Sequence, residues 1–158
     1  MGLFEATAAS EGRGTNAPFL QIGHPAIDGA DMAERLTSAR LPGVAFAPIA
    51  FTPRAIPGMA SAPRFKNRTI EGIALTLTDP AAFRPVETGV QCLAAFTDRL
   101  HSQGENLIAD PVAFDRLAGS NALREALRRK IPGADIPGMW EEDIKRFRQN
   151  RRKYLIYD

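Results

Sequence analysis

Thr69-Ile70-Glu71-Gly72-Ile73-Ala74-Leu75-Thr76-Leu77-Thr78 is the stretch on which the fold turns. Ile73, Leu75 and Leu77 fall on one face and Ala74, Thr76 and Thr78 on the other, the period-two pattern of a half-buried strand. Immediately before it, residues 53–68 show no period. They carry Pro53, Pro57 and Pro63 with Arg54, Arg64, Lys66 and Arg68, which predicts a loop at the rim of a binding cleft. Further upstream, Val44–Phe51 reads as a second strand. Val44 and Phe46 share one face, but Ile49 and Phe51 share the other phase, and Pro48 stands at the slip, so a bulge or an edge strand is expected there. Leu41-Pro42-Gly43 is the turn that leads into it, and Asp31–Ala39 is a short helix with Met32, Leu36 and Ala39 inward and Asp28 or Asp31 as its cap.

Downstream of the clear strand the pattern becomes helical. Asp79-Pro80 provides a cap with a first-turn proline, and Pro85 opens a long helix to about Leu100 with Val86, Val90, Leu93, Ala94 and Phe96 as its apolar stripe. Asp110-Pro111 and Ser120 open two more helices separated by Gly119, with Phe114, Leu117, Leu123 and Leu127 inward. A last helix runs from Pro137 to Arg152, where Trp140, Ile144 and Phe147 recur at i, i+4 and i+7 as a core stripe. The class is therefore α+β: a small two- or three-stranded sheet covered by four or five helices, with residues 1–158 as one domain.

At 158 residues, 44% of them apolar, the chain is large enough to bury a core of its own. No run of apolar residues is long enough to span a membrane, and Met1-Gly2-Leu3-Phe4-Glu5 does not resemble a signal peptide. A single cysteine, Cys92, cannot form an internal disulfide, and its apolar neighbours predict a small buried hydrophobe. His24 and His101 have no partners at ligand spacing, so no metal and no cofactor are expected. Arg146, Arg148, Arg151, Arg152 and Lys153 make a basic cluster near the C-terminus. Without aromatics interleaved for base stacking it reads as a solvated face, and no nucleic-acid partner is expected.

The candidate site lies at the other end of the chain, in Phe4-Glu5-Ala6-Thr7-Ala8-Ala9-Ser10-Glu11-Gly12-Arg13-Gly14-Thr15. Gly12 and Gly14 flank Arg13 and permit positive φ on both sides of it, so that peptide N–H groups and the Glu11 carboxylate can approach a ligand closely. Arg13 offers a planar fork that matches a carboxylate or phosphate. Gly12-x-Gly14-x-x-Ala17 after a strand-like Leu3–Thr7 formally matches a dinucleotide fingerprint, but Pro18-Phe19 follows where a helix must begin, which rules that reading out. Ser10, Gly12, Gly14, Thr15, Glu5, Thr7 and Arg13 are the candidate substrate-binding residues, Glu11 is the candidate catalytic or substrate-orienting carboxylate, and His24 joins them because it borders the loop.

The stretch 3–15, Leu-Phe-Glu-Ala-Thr-x-x-Ser-Glu-Gly-Arg-Gly-Thr, followed by Pro18-Phe19 and Ile22-Gly23-x-Pro25 with Asp28, resembles the C-terminal half of the bacterial exo-β-N-acetylmuramidases, formerly a domain of unknown function. Leu41-Pro42-Gly43-Val44, Phe51-Thr52-Pro53, Arg84-Pro85-Val86-Glu87-Thr88-Gly89, Phe114-Asp115-Arg116-Leu117-x-Gly119-Ser120 and Tyr154-Leu155-Ile156-Tyr157 extend the likeness over the whole chain. The resemblance implies part of a peptidoglycan-degrading glycoside hydrolase that removes non-reducing terminal N-acetylmuramic acid. Members of that family carry a Rossmann-like half upstream, which implies a partner half that holds the second catalytic group, and a periplasmic or secreted setting once the two are joined. The competing reading is a non-catalytic muropeptide-binding or accessory domain, or an inactive fragment.

Overall fold

A computed structural model of the chain describes residues 2–157. The chain begins with a 3-10 turn, Gly2–Ala6, and after the glycine loop forms β1 (Gln21–Gly23) and α1 (Gly29–Ser38). Next come β2 (Val44–Phe51), β3 (Ile70–Leu77), α2 (Pro85–Ser102), α3 (Pro111–Ala118), α4 (Ala122–Arg128) and α5 (Glu141–Arg151), with 3-10 turns at Ile136–Trp140 and Arg152–Tyr154. The three strands form an antiparallel sheet in the order β1-β3-β2, so the α+β class holds, with three strands and five α-helices among the described residues.

β3 is central, and its alternation positions the core. Ile73 lies opposite Ile22 of β1 and Pro48 of β2, while Leu75 lies opposite Phe46, so this face meets the helices. Phe4, Ile22, Met32, Leu36, Leu93, Phe96, Leu100 and Phe114 fill the core with essentially no exposure, and Phe4 meets Phe96 edge-on at 5.5 Å. β2 is the edge strand anticipated from Pro48. The anticipated bulge is absent: its register with β3 runs unbroken from Val44–Leu77 to Phe51–Ile70. The phase slip resolves differently, because Val44 and Phe46 face the helices while Phe51 is buried on the opposite face, against Gly23. An edge proline needs no partner for its missing N–H, so the ladder tolerates Pro48.

Asp28 caps α1 by accepting hydrogen bonds from the amides of Ala30 and Asp31, and Asp110 caps α3 by accepting one from Ala113. Gly119 ends α3 at φ +83°, and Ser120 accepts a hydrogen bond from Ala122 at the start of α4. Asp79-Pro80 caps a turn, not a helix. α2 buries Val90, Leu93, Ala94, Phe96 and Leu100, with Cys92 wholly enclosed and its thiol pushed up to about 12 by burial.

Four expectations are corrected. Leu3–Thr7 is not a strand: Gly2–Ala6 forms a 3-10 turn, followed by the Thr7 amide and hydroxyl donating to the Phe4 carbonyl, and of this turn only Phe4 is fully buried while Leu3 and Ala6 pack partly against the core. Val86 and Leu117 are exposed, because with Leu3 and Trp140 they line a hollow that none of the described residues fills. The last helix starts at Glu141, since Pro137 and Gly138 favour a 3-10 turn ahead of it. Its Ile144–Phe147 stripe is not core: α5 buries none of its residues, and only Trp140 at its start packs against the body.

Candidate functional site

The loop after Ala9 is anchored to the sheet by the Ser10–Gly23 bridge, with hydrogen bonds in both directions at 2.8 and 3.0 Å. Gly12 and Gly14 both stand at φ +81°, as the Gly-Arg-Gly spacing predicts. Neither could carry a side chain. A Cβ on Gly12 would fall 2.9 Å from the Ala17 carbonyl oxygen, and one on Gly14 would fall 2.5 Å from that of Arg54. The Arg54 amide donates to the Gly14 carbonyl at 2.8 Å, and Pro63 closes over the same glycine, so these two residues of the 53–68 segment wall the loop on one side.

Arg13 is held between two acids. Its Nη2 lies 2.7 Å from Glu5 Oε2 and its Nε 3.3 Å from Glu11 Oε1, while Phe19 sets its ring 5.5 Å from the guanidinium carbon. The Glu11 side chain is only 11% exposed, against 39% for Glu5 and 47% for Arg13. The arrangement is thus a shielded carboxylate, an accessible guanidinium across it, and an outer, exposed carboxylate. Phe19 keeps its place at φ +64°, an unusual conformation for a bulky residue, with its amide bonded to the Glu11 carbonyl at 2.6 Å. Only its position beside Pro18 in the motif could have flagged it.

The other candidate residues divide in two. Thr15 donates to the Gly12 carbonyl at 2.6 Å and accepts from the buried Gln21 amide, bracing the loop from within. Ser10 accepts from the Gly12 amide, and Thr7 is spent on the Phe4 carbonyl and the Ala9 amide, so both are wholly buried bracing groups with no face toward solvent. A cleft of about 510 Å³ opens beside the loop, lined by Gly14, Thr15, Gln21, Phe51, Thr52 and Arg54 among others, a volume within the range of small-ligand pockets. Gln21 and Phe51 carried no functional signal in the sequence. The register of β1 and β2 on β3 is what brings them to the loop.

His24 belongs to a different network. It is buried, its Nδ1 accepts from the Ala26 amide at 3.1 Å, its Nε2 lies 3.4 Å from Glu105 and its ring meets Phe65 edge-on at 5.3 Å. No hydrogen bond or ion pair joins it to Glu5, Glu11 or Arg13 among the described residues. Burial holds its pKa below the ordinary 6.5; Glu105 opposes that, and the charges of Arg64 and Arg68 add to it. The unfolded chain therefore binds the proton first. Stability from this group is complete above pH 6.5 and is lost as pH falls from there toward the lowered folded value. His24→Gln is expected to reduce the loss of melting temperature between about pH 7 and about pH 5. An unchanged pH slope in a calorimetric melt would contradict it. Among the described residues no cluster of three His, Cys, Asp or Glu is gathered that could hold a metal ion.

The chain is thus a small α+β domain that carries a shielded carboxylate and an arginine on a double-glycine loop, and comparison identifies its family. The chain belongs to the family described as exo-β-N-acetylmuramidase NamZ, C-terminal, which matches residues 1–157. It is 34% identical over 156 residues to the peptidoglycan β-N-acetylmuramidase NamZ of Bacillus subtilis (strain 168), covering 99% of this chain but 36% of that relative's length. Two crystal structures of DUF1343 family proteins from Bacteroides fragilis NCTC 9343 share the fold. One superposes with a TM-score of 0.82 at 22% identity, the other with 0.67 at 25%, and this chain spans 40% and 38% of them. The chain thus spans well under half the length of these relatives. No helix among the described residues is long and apolar enough to cross a membrane.

Proposed function

We propose that this chain is the sugar-recognising part of a peptidoglycan-degrading glycoside hydrolase that removes non-reducing terminal N-acetylmuramic acid. The observation that carries the reading is Arg13 set on Gly12 and Gly14 between the shielded Glu11 and the exposed Glu5. N-Acetylmuramic acid differs from N-acetylglucosamine by a lactyl ether ending in a carboxylate, and a guanidinium fork recognises a carboxylate bidentately. The ligand carboxylate displaces Glu5 from Arg13. The Arg13–Glu5 pair is exposed and so worth only about 0–1 kcal/mol, a small cost for the ligand to displace it. Glu11 stays behind as the carboxylate that orients the sugar or acts at its anomeric centre. Glycoside hydrolysis uses a pair of carboxyl groups, and the second comes from the part of the longer relatives that this chain does not match. Arg54, which lines the cleft beside the loop, suits an anionic glycan.

A second reading, a muropeptide-binding domain without chemistry of its own, is favoured by the chain spanning 36% of the Bacillus subtilis relative. One assay separates the two: an aryl β-N-acetylmuraminide is offered to the chain and to Glu11→Gln, each mixed with a separately expressed copy of the part of the Bacillus subtilis relative that the chain does not match. Chromophore release that Glu11→Gln lowers about a hundredfold or more makes Glu11 one of the two carboxyl groups of the hydrolase. Binding without release makes the chain the recognition part alone. Release undiminished in Glu11→Gln, or no binding by either protein, contradicts the proposal.

A further inference from the structure

The C-terminal helix is built in a way that its own fold does not explain. α5 has 11 residues, none of them buried, and it packs chiefly against the 3-10 turns at its two ends. Helices this short are marginal in water unless a face is covered. One face is apolar: Trp140, Ile144, Phe147 and Arg151 recur at spacings of four, three and four, the seam of a two-helix coiled coil with one polar position. Ile144 and Phe147 are 43% and 63% exposed, whereas Trp140 joins the seam to the apolar hollow that includes Leu3, Val86 and Leu117.

The charges on the same helix are segregated by sign. Glu141, Glu142 and Asp143 occupy its first turn, and Lys145, Arg146, Arg148, Arg151, Arg152 and Lys153 follow. Asp143 pairs with Arg146, but Glu141, Glu142, Arg148, Arg151 and Arg152 make no ion pair among the described residues. A helix that is acidic at one end, basic at the other and apolar along one face is complementary to a second copy of itself laid antiparallel. An anionic membrane would match the basic end and repel the acidic one.

We propose that α5 is a self-association surface on which two copies of this chain pair antiparallel about a twofold axis. The Ile144–Phe147 seams cover each other, and the acidic first turn of each helix lies beside the basic last turn of the other. Arg151, within the seam, sets the register as polar seam residues do.

Sedimentation equilibrium tests it. The 17.2 kDa chain is expected to approach twice its mass with a dissociation constant on the order of micromolar, and Phe147→Ala to weaken pairing about tenfold. A variant with Glu141→Lys, Glu142→Lys and Asp143→Lys, and another with Arg148→Glu, Arg151→Glu and Arg152→Glu, are each expected to be monomeric and to lose at most the circular dichroism of the uncovered 11-residue α5. Mixing the two restores a dimer, since each supplies the charge that the other lacks. A wild-type chain still monomeric at about 100 μM would overturn the proposal, as would a mixture that fails to pair. So would a monomer whose Trp140 emission shifts on binding phosphatidylglycerol vesicles.

Discussion

Phe4→Ala is expected to destabilise the chain by about 3–5 kcal/mol, the usual cost of emptying a buried aromatic position. Phe4 is wholly buried, meets Phe96 edge-on at 5.5 Å, and is the one fully buried side chain of the opening 3-10 turn, beside the partly buried Leu3 and Ala6. Glu5 is its neighbour on that turn, so a turn released from the core also loosens the outer carboxylate of Arg13. Urea denaturation should show a lower midpoint with little change in slope. A loss below about 1 kcal/mol would mean that the turn is not held by Phe4.

Gly72→Ala is expected to cost about 3 kcal/mol or more, at or beyond the upper end for overpacking. Gly72 lies in central β3 with ordinary strand geometry, so the cause is space and not φ. A Cβ there would stand 1.9 Å from the Ile22 carbonyl oxygen, and the neighbouring Gly29 already brings the first turn of α1 onto the Gly72 carbonyl. β1 would have to leave β3, taking with it the Ser10–Gly23 bridge that anchors the glycine loop. Folding and ligand binding should therefore be lost together. A Gly72→Ala chain that melts at the wild-type temperature would show that β1 is not held as closely as this register requires.

Much of this could be read from the chain itself. β3 betrayed itself by alternation, and α1, α3 and the start of α2 by Asp28, Asp110 and Pro85, because parity and caps are local properties. The positive φ of Gly12 and Gly14 was equally legible, since Gly-Arg-Gly can serve little else. What escaped was set by long-range contacts. β1 has only three residues and exists because β3 offers it a partner. Phe51 and Gln21 reach the loop through sheet register that leaves no mark on spacing. The Ile144–Phe147 stripe has a core pattern without a core over it, because apolar periodicity reports that a face needs covering and not that this chain covers it.

Calorimetric titration of the chain with N-acetylmuramic acid beside N-acetylglucosamine tests most directly whether Arg13 reads a carboxylate. The wild-type chain is expected to bind the acid about tenfold more tightly, Arg13→Lys to lose most of that preference, and Glu5→Ala to widen it by removing the competing carboxylate. Equal affinity for the two sugars, or a preference that survives Arg13→Lys intact, would contradict it.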